Sequence, residues 1–425
     1  MVWYLDDGIL LGDEEQLVAA LTKVLCLAKA MGIDVNLVKC SLWGPGFEKG
    51  TGHLPTSCPL RHVPVTAWKK GSGIKVLGIP VCCPEDGPEG RADAFAKKVW
   101  RERVDKASRA MKVLGTFPES HVQYTLLRQC LSACKVNDLL RACPIDEARE
   151  ECGEMSWQMR RTMGTIAGAP LSESQWEQAT LAIRCGGLGI NDPVEQRPAA
   201  RLSGITSFLQ QGPRFLGLTM DDDMVPEDTG RCIVEMEERV GSIAPLVGWR
   251  REPQSIKHPS KTFSDQNWWS NKVHVKNRDA LLASATGADK VRLSCQVRPH
   301  ANAWLAVAPS VGKKTLLPTV SFVKLLRWTL GMPQTLVDES EEEEKQACPK
   351  CDAGLDASGH HMVCCKLNGF TMRHHVVVEA LAGIARAAGY PCKKEVSLPD
   401  GSKDKRGQLL RPADVLISRF DEHGP

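Results

Sequence analysis

The sequence predicts an α+β protein with a long helical middle and short strands near both ends. Near the start, residues 2–5 and 9–11 are apolar runs that flank the tripeptide Asp6-Asp7-Gly8. Asp-Gly between apolar runs is a strong hairpin signal. Apolar residues then recur at helical spacing through the middle of the chain. Short apolar runs typical of strands return after residue 390.

Composition places the chain among ordinary globular proteins. Its 425 residues are 42% hydrophobic and 25% charged, and this length corresponds to about three domains. The net charge of +3 is too small to identify a nucleic-acid partner. The 17 cysteines are spread along a long chain, unlike those of a secreted disulfide scaffold. With no signal peptide and no long apolar run, we expect a soluble protein of a reducing compartment.

The first predicted helix covers residues 13–31. It opens with Asp13, Glu14 and Glu15, which favour a helix amino terminus, and Gly32 can end it. Residues 33–38 alternate between apolar and polar side chains, which predicts a strand. A further short strand is predicted over 76–81, interrupted by a proline.

Helices dominate the prediction for the middle of the chain. The glycine-rich segment 186–189 predicts a break, residues 212–271 are predicted to be irregular, and 338–344 form an acidic linker. The predicted helices cover 91–114, 122–142, 147–163, 172–183 and part of 300–331.

The first long helix of this region carries a local excess of positive charge. From residue 67 to residue 112, 11 lysines and arginines stand against 6 acidic residues. Two interpretations remain open, a solvated helix face or a surface that follows a phosphate backbone. Much of this excess comes from Lys97, Lys98, Arg101, Lys106, Arg109 and Lys112.

A Cys/His cluster near the carboxyl end has the spacing of a zinc site. Cys348, Cys351, His360 and Cys365 follow the pattern Cys-x2-Cys-x8-His-x4-Cys, which suits tetrahedral Zn²⁺. His361 and Cys364 are alternative ligands, because each adjoins a member of the chosen set. A chance group of core cysteines is the competing interpretation.

Beyond this cluster the sequence predicts a helix followed by two strands. The helix opens at residue 373, and its predicted apolar side holds Val376, Val377, Leu381 and Ile384. The strands cover 394–398 and 411–417, and they carry Glu395 and Asp414.

The order of the amino-terminal motifs resembles the later part of a reverse transcriptase palm, particularly that of non-long-terminal-repeat retrotransposons. The motifs are the Tyr-x-Asp-Asp hairpin, a helix, the segment 32–40 and Leu77-Gly78. The resemblance implies that Asp6 and Asp7 hold Mg²⁺ or Mn²⁺. It also implies that Lys39 acts near the leaving pyrophosphate and that Leu77-Gly78 grips the primer strand.

The remaining segments resemble other parts of the same polyprotein. The helical middle is similar to the thumb and connector, and a zinc knuckle precedes a restriction-like endonuclease in this family. There Asp414 would hold the metal that activates water, assisted by Glu395. The implied segments are a partial palm (1–85), a thumb-like region (86–210), a connector (211–337), an acidic linker (338–347) and the zinc knuckle with a partial endonuclease (348–425).

The resemblance implies a nuclear, otherwise cytoplasmic, RNA-directed DNA polymerase with an associated endonuclease. Its partners would be an RNA template, a DNA target and deoxynucleoside triphosphates, with no membrane. In that family the first palm aspartate would precede Met1, and a further endonuclease strand would follow Pro425. We therefore expect a catalytically incomplete chain without polymerase activity. The alternative function is a non-catalytic, zinc-dependent nucleic-acid-binding protein.

Overall fold

The chain divides into two compact units, Met1–Gly331 and Met332–Pro425. Within the residues that the computed structural model describes, no helix has the length and apolarity needed to span a membrane. The described residues are 2–4, 7–47, 49–69, 71–82, 94–216, 225–241, 265–334, 347–348, 350–354, 359, 361, 365, 367, 370–396, 403 and 413–417.

An antiparallel hairpin opens the first unit. Strands β1 (Val2–Tyr4) and β2 (Asp7–Ile9) pair so that Tyr4 lies opposite Asp7. This register leaves two connecting residues, the length that favours a tight hairpin turn. The predicted hairpin is confirmed, but its predicted turn is wrong in part, because Asp7 and Gly8 both belong to β2 and not to the turn. Asp6 lies outside the described residues.

Helix α1 spans Glu14–Ala30 and confirms the first predicted helix. A capping box begins it. Asp13 Oδ1 accepts a hydrogen bond from the backbone N–H of Gln16 at 2.8 Å, and Gln16 Oε1 accepts from the backbone N–H of Asp13 at 3.3 Å. The helix packs against the segment that follows it, and the buried residues of this cluster are Leu21, Leu42, Phe47, Leu54, Cys58, Leu60 and Val63.

The strand predicted over 33–38 is wrong. Leu37–Lys39 form one turn of 3-10 helix, and the Asn36 side chain accepts the backbone N–H of Lys39 at 3.3 Å. A local bond of this kind offers the backbone an alternative to a sheet ladder. The alternation of apolar and polar residues therefore arises in a segment without strand pairing.

A second hairpin joins β3 (Gly73–Val76) to β4 (Ile79–Cys82). Leu77 and Gly78 connect the strands with φ angles of 51° and 85°. Both angles are left-handed, as a type I′ turn requires. The single strand predicted over 76–81 is therefore wrong, because the chain reverses at its second and third residues.

Helices α2 (Ala94–Leu114) and α5 (Arg149–Ala167) form the centre of the first unit. The apolar side predicted for α2 is confirmed, while its basic residues are mostly exposed. Each large apolar side chain removed from water contributes roughly 1.5–3 kcal/mol. The buried contacts come from Val99, Trp100, Val104 and Met111 on α2 and from Met155, Met159 and Met163 on α5.

The single helix predicted over 122–142 is broken. Helix α3 (Ser120–Leu126) continues into a π-helical turn, and α4 (Asn137–Ala142) starts separately. At the break, the backbone N–H of Ala133 donates to the carbonyl oxygen of Asn191 at 2.9 Å. This hydrogen bond to a residue far away in the sequence ends the helix. The local periodicity of apolar residues cannot predict such a bond.

The prediction of irregular structure over 212–271 is also wrong where residues are described. One helix extends into this segment, a second lies inside it and a third starts there. The helices that complete the first unit are α6 (Glu173–Thr180), α7 (Pro193–Leu216), α8 (Thr229–Val240), α9 (Gln266–Ser284), α10 (Gly287–Gln296) and α11 (Thr319–Leu330).

A buried ion pair joins α7 to the residue that precedes α8. Arg201 donates to both carboxylate oxygens of Asp228, at 2.7 and 2.8 Å. Asp228 also accepts the backbone N–H of Ile145 at 3.0 Å, and Arg201 donates to the carbonyl oxygen of Ala142 at 2.8 Å. Burial alone would raise the pKa of Asp228, but the hydrogen bonds and charge of Arg201 outweigh it and hold that pKa below its usual value.

The second unit contains α12 (Phe370–Ala387) and an antiparallel pair, β5 (Cys392–Val396) and β6 (Ala413–Ile417). The predicted helix and both strands are confirmed, with shifted ends. The apolar side predicted for the helix is wrong, since Val376, Val377, Leu381 and Ile384 are 50–66% exposed. The buried residues of α12 are Val378, Ala382 and Ala385.

Candidate metal centre

A small loop holds the first two cysteines of the cluster. The backbone N–H of Cys348 donates to the carbonyl oxygen of Ala353 at 2.8 Å, and that of Asp352 donates to the carbonyl oxygen of Cys348 at 2.9 Å. Asp352 has a φ of 57°, the left-handed conformation that reverses the chain. This turn brings the Cys348 and Cys351 sulfurs to the same place.

A helical turn supplies the other two groups. The backbone N–H of Cys365 donates to the carbonyl oxygen of His361 at 2.7 Å. Residues four apart in such a turn share one face, whereas residues five apart do not. Among the described residues, His361, the alternative to the predicted ligand His360, joins Cys365 in this turn. His360 and Cys364 lie outside the described residues.

The four groups have distances that suit zinc. Their ligand atoms all lie within 4.8 Å of one another. Sγ of Cys365 is 3.8 Å from Sγ of Cys348 and 3.7 Å from Sγ of Cys351, and His361 Nε2 is 3.0 Å from the Cys351 sulfur. A tetrahedron with Zn–S bonds of about 2.3 Å has S···S edges of about 3.8 Å. The Cys₃His set therefore fits Zn²⁺. Four protein ligands would surround the ion completely, as in a structural zinc site.

The loop backbone favours a thiolate at Cys348. The backbone N–H of Lys350 hydrogen-bonds this sulfur and lowers the pKa of Cys348 to about 6. The backbone N–H of Ala353 also favours the thiolate of Cys351, but burial and the neighbouring sulfurs outweigh it and raise the pKa of Cys351. Because metal ligands must be deprotonated, a cation that neutralises the three sulfurs suits this arrangement.

The residues implied for polymerase chemistry are only partly described. Asp7 occupies a position in β2, and Asp6 falls outside the described residues. Lys39 is exposed at the end of its 3-10 turn. Among the described residues, no hydrogen bond or ion pair joins Lys39 to the amino-terminal hairpin. Mg²⁺ binding at Asp6 and Asp7 therefore stays a prediction.

The two acids implied for cleavage lie at corresponding positions of one ladder. Lys394 pairs with Val415, and Val396 pairs with Ala413. This register puts Glu395 opposite Asp414 in the backbone ladder. Their sequence positions, 19 residues apart, do not reveal this pairing.

Comparison with known proteins identifies no relative. No protein-family model matches the chain, and no curated protein matches it. Any functional assignment therefore depends on the residues and their geometry.

Proposed function

We propose that this chain handles nucleic acid as part of a reverse transcriptase–endonuclease of the non-long-terminal-repeat type, with zinc organising its terminal unit. The single observation that carries the proposal is the Cys₃His geometry of Cys348, Cys351, His361 and Cys365. This cluster comes directly before a helix and an antiparallel strand pair, the order expected from the resemblance.

Zinc would act here through folding and not through chemistry. The loop from Cys348 to Gly354 is short, and structural zinc sites contribute folding free energy directly. The same unit carries Lys350, Lys393 and Lys403, whose charges suit a phosphate backbone. If zinc organises the fold of this unit, its loss would disturb the positions of these lysines and so weaken binding.

We expect Cys351→Ser to weaken binding of single-stranded DNA by the full chain at least about tenfold, because the zinc ligand set loses a thiolate. Fluorescence anisotropy with a labelled oligothymidylate at two salt concentrations measures this. Cys295→Ser is the matched control, since Cys295 is an exposed cysteine of the first unit. Binding by folded Cys351→Ser that equals wild-type binding would contradict the proposal.

A second candidate function, DNA cleavage, is favoured by the opposing positions of Glu395 and Asp414. Like charges directly opposite one another destabilise a ladder. A divalent cation neutralises paired carboxylates and can activate water for attack on a phosphodiester. This function needs the acids themselves, whereas zinc-dependent binding does not.

Nicking of supercoiled plasmid in Mg²⁺ or Mn²⁺ tests the second candidate. We expect Asp414→Asn to reduce nicking at least about tenfold while leaving oligonucleotide binding unchanged, since the lost charge belongs to the reacting metal site. Asp421→Asn is the control, because Asp421 lies beyond the paired strand. Equal nicking by both variants, or none by wild type, would exclude the cleavage function.

A further inference from the structure

A groove lined by both basic and apolar residues lies in the first unit, between the β3–β4 hairpin and α2. Its volume is about 420 Å³. Its lining contains four basic residues and one acidic residue, together with Gly78, Val99, Ala107 and Ala110. The lining residues used below are Lys75, Gly78, Glu102, Arg103, Lys106 and Lys135.

We propose that this groove binds the phosphates of a single nucleic-acid strand and that Glu102 sets its affinity. The inference rests on the proposed function, because it names the form of nucleic acid that the first unit takes. The pairing of Lys75 with Glu102 across the groove wall is the observation specific to this chain.

The basic side chains differ in how they are held. Arg103 is fixed, since it donates to the carbonyl oxygen of Lys135 at 3.3 Å and to Asp138 at 3.2 Å. A Cβ on Gly78 would lie 2.9 Å from Arg103 Nη2, so the turn packs directly on the guanidinium. Lys106 and Lys135 have exposed side chains that can reach a ligand. The groove thus combines one fixed cation with two mobile ones.

The size and lining of the groove select the ligand. Pockets for small ligands range from about 300 to 1,000 Å³, and 420 Å³ is near the lower end. That volume accommodates one nucleotide, and we infer that the nucleotide belongs to a single strand. The basic side chains of the lining favour phosphate oxygens, which accept hydrogen bonds from lysine and arginine.

Glu102 opposes this binding in two ways. Its carboxylate lies 2.5 Å from Lys75 Nζ. It therefore forms an ion pair with an ammonium group that a phosphate would otherwise contact. The hydrogen bond and charge of Lys75 lower the pKa of Glu102, so this acid is ionised at neutral pH and repels a nearby phosphate. Both side chains are about half exposed, which lets the pair open when a stronger competitor arrives.

The test measures binding of a fluorescein-labelled oligothymidylate to the full chain as salt is varied. We expect Lys106→Ala to weaken binding about threefold to tenfold and to reduce the magnitude of the salt slope by about 0.7, the value for one lost contact to a single strand. Lys112→Ala is the matched control, because it removes an equal charge from the same helix outside the groove. Glu102→Gln should tighten binding severalfold, since Lys75 becomes available and the repulsion disappears.

The outcomes separate this inference from the proposed function. Equal weakening by Lys106→Ala and Lys112→Ala, or unchanged binding by Glu102→Gln, overturns the groove assignment even if Cys351→Ser abolishes binding. If the groove variants respond as expected while Cys351→Ser has no effect, the groove assignment stands and the zinc-dependent function fails. Absence of binding by wild type overturns both. Circular dichroism confirms that each variant is folded.

Discussion

Replacing His361 with alanine is expected to abolish stoichiometric zinc binding by the full chain, while His360→Ala should keep it. The two histidines are adjacent and chemically identical, so the pair of variants isolates position alone. His361 lies on the same helical turn face as Cys365, and its Nε2 is 3.0 Å from the Cys351 sulfur. Loss of one ligand from a four-coordinate site should weaken zinc affinity by more than about 100-fold, since even indirect ligand supports contribute 10- to 100-fold.

Competition with a chromophoric zinc chelator measures this difference directly. Cobalt substitution provides a second readout, because thiolate coordination gives the metal a strong charge-transfer absorption. If His360→Ala loses the metal and His361→Ala retains it, the ligand set Cys348, Cys351, His360 and Cys365 predicted from spacing is right, and the helical-turn argument is wrong.

Asp228→Ala is expected to lower the free energy of unfolding of the first unit by about 3–5 kcal/mol, the effect of breaking a buried ion pair. The substitution leaves the Arg201 guanidinium and the Ile145 backbone N–H without their acceptor. The side chains of Arg201 and Asp228 are only 9% and 4% exposed, so water cannot replace the lost bonds. Glu173→Ala is the control, because its partner Arg160 lies in an exposed pair worth less than about 1 kcal/mol.

Urea unfolding followed by circular dichroism measures both changes. The double variant Arg201→Met, Asp228→Leu should be more stable than Asp228→Ala, because it removes the buried charges together. The pKa of Asp228 is lower in the folded chain than in the unfolded one, so the pair stabilises fully above the unfolded pKa of about 3.9. That contribution is lost as pH falls through the folded pKa. Equal stability of Asp228→Ala and Glu173→Ala would show that the pair carries little of the fold.

The elements that follow from local sequence are those with a complete local signal. Asp13 and Gln16 provide a capping box at the start of α1, and Gly32 adopts a left-handed φ just after its end. The amino-terminal hairpin is predictable in part from its apolar flanks, but pairing puts Asp7 and Gly8 in β2 instead of in the turn. The position of Asp7 within the strand depends on the pairing register. A register shift of one residue would turn each side chain of the strand to the opposite face of the sheet.

Predictions fail where a distant partner outweighs a local pattern. Ala133 bonds to Asn191 and so breaks a helix that periodicity predicts as continuous. Residues 33–38 alternate like a strand, yet the Asn36 side chain takes a backbone N–H and no ladder forms there. On α12 the apolar residues are correctly recognised as helical, but packing buries Val378 and Ala382 instead of their exposed neighbours.

The cysteine and histidine spacing alone predicted a zinc site near residues 348–365, because thiolates and imidazoles at those separations suit a tetrahedral cation. Only the folded backbone placed His361 beside Cys365, since that depends on which residues share a helical face. The basic groove was decided wholly by tertiary structure, because Lys75, Lys106 and Lys135 are far apart in the chain and meet only after a hairpin packs on a helix. Electrostatic potential depends on distance in space, and sequence order does not specify that distance.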